Sequence, residues 1–145
     1  MSKQTPAARS KARRFVLQAL YQMKLSGCTA AEVETQLFQD HDMKNVDTEY
    51  LHELLSGINS KKGELADLVA PKLDRKYEEL DPVEVAALLI GSFELSERVD
   101  IPYRVVINEG VELAKRFGAA ESHKLINSVL DKLAKDHREN EFGRR

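Results

Sequence analysis

Apolar residues recur at helical spacing directly behind a basic N-terminal segment. Pro6 suits the first position of a helix, because proline lacks the N–H that would be unpaired there. Gly27 can end the same helix in a left-handed cap. The apolar set that follows the 3.6-residue period consists of Phe15, Val16, Ala19, Leu20 and Met23. The pattern therefore predicts a first helix from about residue 6 to residue 26.

Three further helical segments are predicted before residue 72. Thr29 and Glu32 have the spacing of a capping box, which begins a short second helix. Asp47 can cap a third helix, and a weaker fourth segment ends near Pro71. Their apolar stripes contain Val33 and Leu37, then Leu51, Leu54, Leu55 and Ile58, and then Leu65, Leu68 and Val69.

The second half of the chain has clearer helix boundaries. Residues 81–84 (DPVE) combine an N-cap aspartate, a proline at the first helical position and an acid three residues after the cap. The helix behind them, VEVAALLIGSFEL (residues 83–95), is apolar on most sides, which predicts a course through the core. Pro102 starts the next helix, Gly118 ends it and Ser122 can begin the last one.

These elements predict an all-α fold. No segment shows the sustained alternation of a strand, and no internal repeat has a fixed period. The length of 145 residues fits one domain or two small helical halves that share a core, with a seam between residues 70 and 80. The polar residues from 136 to 145 predict a mobile tail, in which Phe142 is the one apolar residue.

Composition favours a cytoplasmic protein. No apolar run approaches the ~18 residues that a membrane span requires, so no membrane contact is expected. The basic start is not followed by an apolar stretch of signal-peptide type, so export is not expected. Cys28 is the only cysteine, which excludes an intrachain disulfide and agrees with a reducing compartment.

Charge is distributed unevenly along the chain. Residues 1–31 contain no acid and carry +6, which leaves −8 for residues 32–145 within a net charge of −2. Such an asymmetry predicts an anionic partner at one end and a different surface elsewhere. The cations of the first segment are Lys3, Arg9, Lys11, Arg13, Arg14 and Lys24.

The residue pattern offers no catalytic or metal-binding constellation. The four histidines are scattered, and none of them has a second histidine four residues away on the same helical face. The glycines occur singly rather than in a phosphate-binding loop. Acidic pairs such as Glu78 and Glu79 are common on solvated helix surfaces. We therefore expect a protein that is not an enzyme and that uses no cofactor and no metal.

The first helix carries the best candidate for a binding surface. At 100° per residue, Arg14, Gln18 and Tyr21 share nearly one face, and Arg13 lies beside it. Cations neutralise phosphates, and an exposed tyrosine offers a base a ring for stacking. The alternative is a solvated basic helix end with Tyr21 packed on a neighbour. The absence of acids favours nucleic acid, and one aromatic on a basic helix suits single-stranded RNA better than duplex DNA.

Four stretches in one order resemble the NusB family of transcription antitermination factors. They are ARRFVLQALY at residues 12–21, LDPVE at 80–84, VINEGVELAKRFG at 106–118 and SHKLINSVLDK at 122–132. Each stretch is weak alone, but the last two are specific in combination. The resemblance covers nearly the whole chain except the polar tail.

The resemblance implies a fold and a function. The fold would be a compact helical bundle of two packed helical subdomains, at about 1–72 and 73–135. The protein would bind the single-stranded boxA element of ribosomal RNA leader transcripts together with NusE, a small-subunit ribosomal protein. As part of an RNA polymerase antitermination complex, it would promote read-through and ribosomal RNA synthesis.

The resemblance also implies two sets of site residues. The side that faces NusE is acidic, which suits a basic ribosomal protein. We expect the RNA surface to be a composite, with the basic segment at one edge, the start of the last helix beside it and NusE completing it. The RNA set contains Lys3, Arg9, Lys11, Arg13, Arg14, Tyr21, Glu121, Ser122 and Lys124, and the NusE set contains Glu78, Leu80, Asp81, Val83 and Glu84.

Three positions depart from the family pattern. Ser10 interrupts a tract that is often continuously arginine-rich, so one phosphate contact is in doubt. Leu89 stands where relatives often carry arginine, and Leu125 replaces a common phenylalanine. These two changes put particular RNA contacts in doubt without disturbing the core.

Three alternatives remain at this point. A NusB-like domain also begins some ribosomal RNA cytosine methyltransferases, but their catalytic domain is not expected in a chain that ends at residue 145. A module that binds only proteins would leave the basic segment solvated. Residues 83–95 are apolar enough to contribute a homodimer surface.

Overall fold

The computed structural model describes residues 4–142, with side chains up to residue 141, and this part of the chain is all-α. No strand occurs within it, which confirms the predicted fold class. Two short 3₁₀ turns, Ala70–Lys72 and Tyr77–Glu79, lie between the third and fourth helices. The helices are α1 (Pro6–Ser26), α2 (Ala30–Asp40), α3 (Thr48–Val69), α4 (Pro82–Glu97), α5 (Tyr103–Phe117), α6 (Ser122–His137) and α7 (Glu139–Phe142).

The chain forms two compact units that divide between residues 60 and 61, earlier than the expected boundary near residue 72. The third and fourth predicted segments form one helix, α3, with a kink at Lys61 (φ −119°, ψ 17°). No proline interrupts this stretch before Pro71, so the backbone bends without ending the helix. The division therefore falls inside α3.

Local capping signals fix the helix ends of the first unit, and those at Gly27, Thr29 and Asp47 were predicted from the sequence. Thr5 accepts a hydrogen bond from the Ala8 N–H at 3.1 Å, and Gly27 ends α1 with φ 76°. Thr29 and Glu32 form the reciprocal capping box at the start of α2. Asp47 accepts from the Tyr50 N–H at 3.0 Å and so begins α3.

The second unit is built around α4. Asp81 and Glu84 form the predicted capping box, with bonds of 2.8 and 3.1 Å. Residues 86–95 are all buried, which confirms the expected course of this helix through the core. That stretch therefore offers no surface for self-association in this structure, including Leu89, which is buried. A homodimer would need another face.

Leu130 of α6 lies where α4 and α5 approach α6. A Cβ atom on Gly91 of α4 would lie 2.6 Å from Leu130 Cδ2, and one on Gly110 of α5 would lie 2.6 Å from Leu130 Cδ1. The Leu130 side chain is fully buried. Two glycines thus give one leucine room between three helices.

Arg138 anchors the described part of the expected tail. Its side chain is buried and donates to the backbone oxygens of Leu95 at 3.0 Å and Ile101 at 2.7 Å. It also donates to the oxygens of Glu94 and Arg98, at 3.1 and 2.9 Å. A sequence pattern cannot show this, because the partners lie about 40 residues away. Residues 139–142 are helical rather than irregular.

We expect Arg138→Met to lower the free energy of unfolding by about 3 kcal/mol, because three buried carbonyls and one partly buried carbonyl lose a charged donor. Urea denaturation measures this change. The control is Lys135→Met on the last turn of α6, an exposed position where a change within about 0.5 kcal/mol is expected. Equal effects of the two substitutions would contradict the anchoring role.

Candidate nucleic-acid interface

Most of the predicted RNA residues of the first unit lie on one exposed face of α1, among the residues that the structure describes. Lys11, Arg14 and Gln18 are half-buried, and Tyr21 is 40% exposed. Tyr21 is therefore open to solvent. The alternative of a solvated basic helix end had required Tyr21 to pack on a neighbour. Lys3 lies outside the described residues. The face presents two cations, an amide and a phenol ring within three helical turns.

Arg9 is held at the edge of this face by Asp47 and Tyr50. Its Nε atom lies 3.5 Å from Asp47 Oδ2, and its guanidinium lies 4.9 Å from the centre of the Tyr50 ring. Asp47 is buried, and its own N–H donates to the Ala8 oxygen at 3.2 Å. The same aspartate thus begins α3 and orients Arg9, which remains half-buried.

Arg13 does not lie on the exposed face. Only 3% of its surface is exposed, and its guanidinium lies 5.6 Å from the centre of the Tyr50 ring. Because Arg13 is one residue before Arg14, its side chain points about 100° away from that of Arg14. The expectation that Arg13 contacts a phosphate directly therefore needs correction. Its cation supports the packing of α1 through Tyr50.

A cavity of about 270 Å³ adjoins the exposed face of α1. Within residues 4–142, neither Lys11 nor Arg14 takes part in an ion pair. The Phe15 ring centre lies 4.9 Å from that of His41. The sequence pattern did not predict that Phe15 lines a surface cavity, because an aromatic at helical spacing is usually part of the core. The lining residues are Lys11, Arg14, Phe15, Gln18, Asp42, Asn45 and Val46.

A second cavity, of about 420 Å³, lies at the start of α6 in the second unit. Ser122 begins α6 but makes no cap. Its hydroxyl instead donates to Glu84 Oε2 at 2.9 Å. This hydrogen bond connects Ser122, which was predicted in the RNA set, to Glu84, which was predicted in the NusE set. The lining includes Lys72, Asp74, Arg75, Glu84, Ala119, Glu121, Ser122, Lys124, Leu125, Ser128, Val129 and Lys132.

Ion pairs neutralise much of the charge in this second cavity. Lys124 Nζ lies 2.7 Å from Glu121 Oε1, and Arg75 Nε lies 2.9 Å from Asp74 Oδ1. The hydrogen bond from Arg75 lowers the pKa of Asp74 below its ordinary value. The surface is consequently polar but not strongly cationic. Leu125 is half-buried in the lining, where it provides an apolar contact.

The residues expected to face NusE differ in accessibility. Glu78 and Asp81 are exposed, and Val83 is half-buried. Leu80 is only 8% exposed, so it supports this surface from beneath. Glu84 is half-buried and is held by both the Asp81 N–H and Ser122. The accessible part of this set is therefore mainly carboxylate.

Between residues 4 and 142, no group of three or more His, Cys, Asp or Glu side chains is arranged to hold a metal ion. No helix in the same range combines the length and apolar character of a membrane span.

Several known proteins that are similar to this chain are named transcription antitermination protein NusB. The transcription antitermination protein NusB of Alcanivorax borkumensis is 54% identical over 134 residues, covering 92% of this chain and 89% of that protein. The protein of the same name from Yersinia enterocolitica is 54% identical over 129 residues, covering 89% and 94%. The solved structure of T. maritima NusB matches with a TM-score of 0.78 at 29% identity, covering 92% and 94%.

The family comparison agrees with these relatives. The model of the NusB family matches residues 10–135, which include most of α1, all of the helices from α2 to α5 and most of α6. The chain therefore belongs to the NusB family.

Proposed function

We propose that this chain is a cytoplasmic transcription antitermination factor that binds boxA RNA together with NusE. The boxA element belongs to ribosomal RNA leader transcripts, and binding it promotes RNA polymerase read-through and ribosomal RNA synthesis. The relatives named transcription antitermination proteins support the general role. The observation that carries the RNA-binding part is the exposed face of α1. There, Lys11 and Arg14 have no ion pair within the described residues, and Tyr21 is open to solvent.

Lys11 and Arg14 supply the electrostatic part of the proposed binding. Because neither cation has an acidic partner within residues 4–142, binding a phosphate breaks no existing ion pair there. Each phosphate that a cation neutralises releases counterions, so affinity falls with rising salt. Arg9 adds a third cation, although Asp47 already holds it at 3.5 Å.

Tyr21 favours single-stranded RNA as the ligand. A tyrosine ring that is 40% exposed provides a stacking platform for an unpaired base, which is worth about 1–3 kcal/mol. Bases within an A-form duplex are already stacked, and their edges lie in a deep groove. The proposed mode is therefore backbone contact by cations combined with stacking on Tyr21.

The cavity at the start of α6 suits a different contact. Glu121 and Lys124 neutralise one another, so this surface has less attraction for phosphate than α1. Its hydroxyl, carboxylate and ammonium groups can form hydrogen bonds with base edges. We propose that Glu121, Ser122 and Lys124 contact bases rather than the RNA backbone.

NusE is the proposed protein partner, and Glu78, Asp81 and Val83 are its accessible contacts. Exposed carboxylates complement a basic protein and increase the rate of encounter. Glu84 has a positioning role, because its carboxylate accepts a hydrogen bond from the Ser122 hydroxyl in the second cavity. A bound partner that moves Glu84 would also move Ser122, which links the two contacts.

We expect the chain to bind boxA RNA far more tightly than a scrambled RNA of the same composition, and NusE to increase this difference. The reason is that backbone contacts alone do not distinguish sequences, whereas contacts with bases do. Fluorescence anisotropy with both RNAs, each with and without NusE, measures the effect. Equal affinity in all four conditions would contradict the proposed function.

The double substitution Lys11→Gln and Arg14→Gln should weaken RNA binding and reduce its salt dependence. If two phosphate contacts are lost, the slope of log affinity against log salt should fall by about 1.4 for a single strand. The control is Lys62→Gln, because Lys62 is an exposed cation of α3 that does not belong to the predicted RNA set. An unchanged slope in the folded double variant would place the phosphate contacts elsewhere.

A further inference from the structure

The first cavity, between α1 and the connection from α2 to α3, has the features of a base-binding site. We propose that it binds one guanine base of the RNA, a proposal that rests on the RNA-binding function above. We call this cavity the Phe15 pocket. It is lined by Lys11, Arg14, Phe15 and Gln18 of α1, together with residues 42, 45 and 46 of the connection.

The Phe15 pocket is built on one helical face. Its four α1 residues have the spacing i, i+3, i+4 and i+7, so they lie side by side along α1. The volume of about 270 Å³ is slightly below the range for small-molecule sites, which starts at roughly 300 Å³. Such a space suits a single planar base rather than a larger ligand.

The aromatic wall of the pocket can stack a base. Phe15 is half-buried, and its ring is tilted by 56° against the His41 ring at 4.9 Å. His41 is exposed, so the ring pair stands at the surface rather than in the core. A base that lies on Phe15 would contact a ring whose orientation His41 already fixes.

The polar wall of the pocket distinguishes guanine from other bases. The Watson–Crick edge of guanine presents two adjacent N–H donors beside a carbonyl acceptor. The Asp42 carboxylate can accept from donors of this kind, and the Asn45 amide can donate to the carbonyl. Asp42 Oδ1 accepts from the Lys44 N–H at 2.9 Å, which fixes the carboxylate. Adenine and cytosine place an acceptor beside their exocyclic amino donor, so they match the carboxylate less well.

The charges around the pocket suit a nucleotide rather than a free base or an acidic peptide. The lining contains two cations, Lys11 and Arg14, and one acid, Asp42, so its net charge is +1. The cations can hold the phosphate while Asp42 receives the base edge, an arrangement that repels carboxylate side chains from the Asp42 end. Arg14 and Tyr21 are separated by about 10 Å along α1, so one strand can occupy both places.

Binding of short oligouridylates that carry one guanosine or one adenosine tests the proposal. We expect the full chain to prefer the guanosine probe by about tenfold, the discrimination of one good bidentate contact. Asp42→Asn should remove most of this preference while both probes still bind. Asp40→Asn is the matched control, because Asp40 is an exposed carboxylate two residues away that does not line the pocket.

A second pair of variants tests the stacking wall. Phe15→Leu should weaken binding of the guanosine probe about tenfold, whereas Phe38→Leu, at an exposed aromatic of α2 outside the pocket, should have little effect. NMR signals of the Asn45 side-chain amide should shift with guanosine monophosphate and not with inorganic phosphate. The NMR readout locates the ligand even where a variant loses stability.

Each outcome decides the proposal. Equal affinity for the two probes, an Asp42→Asn variant that keeps the preference, or Asn45 shifts with phosphate alone would overturn the guanine site. Preferential binding of boxA RNA without guanosine selectivity at Asp42 would overturn this inference and leave the proposed function standing. Failure to bind either boxA RNA or the probes would overturn both.

Discussion

The burial of α4 is the constraint on which the second unit depends. Residues 86–95 are buried on every side, so α5 and α6 must cover this helix, and the glycines at positions 91 and 110 let both of them approach Leu130 closely. Burial also requires that the polar ends of α4 be satisfied. Asp81 and Glu84 satisfy the first turn, and Arg138 reaches the backbone oxygens of the last turn. The same capping box places Glu84 beside Ser122, so the packing of the core also sets the geometry of the second cavity.

In the first unit, Asp47 has a comparable role. It caps α3, donates its N–H to the Ala8 oxygen and accepts a hydrogen bond from Arg9. A buried carboxylate needs such partners, because desolvation without them is costly. The consequence for function is that Arg9 is held near Tyr50, while Lys11 and Arg14 are left accessible for a ligand. The cation that is held by Asp47 and the two cations without an ion pair in the described residues thus occupy different positions along one helix.

Much of the fold was predictable because its signals are local. Thr29 with Glu32, Asp81 with Glu84, and Gly27 each act within a few residues of a helix end, so the sequence pattern shows them directly. The burial of Arg13 was not predictable, since it depends on Tyr50 of another helix. The Phe15 pocket escaped prediction for the same reason, because the connection from α2 to α3 supplies three of its seven lining residues. The anchoring of Arg138 likewise depends on carbonyls distant in sequence.

We propose that the exposed face of α1 contacts RNA. Addition of boxA RNA to the isotope-labelled chain, followed by NMR, tests this contact. Each backbone amide gives its own signal, so changes in all the helices are measured in one experiment. We expect the largest signal changes in residues 9–21, with a second group in residues 119–125. Changes confined to α5 and to residues 77–84, with α1 unaffected, would contradict it.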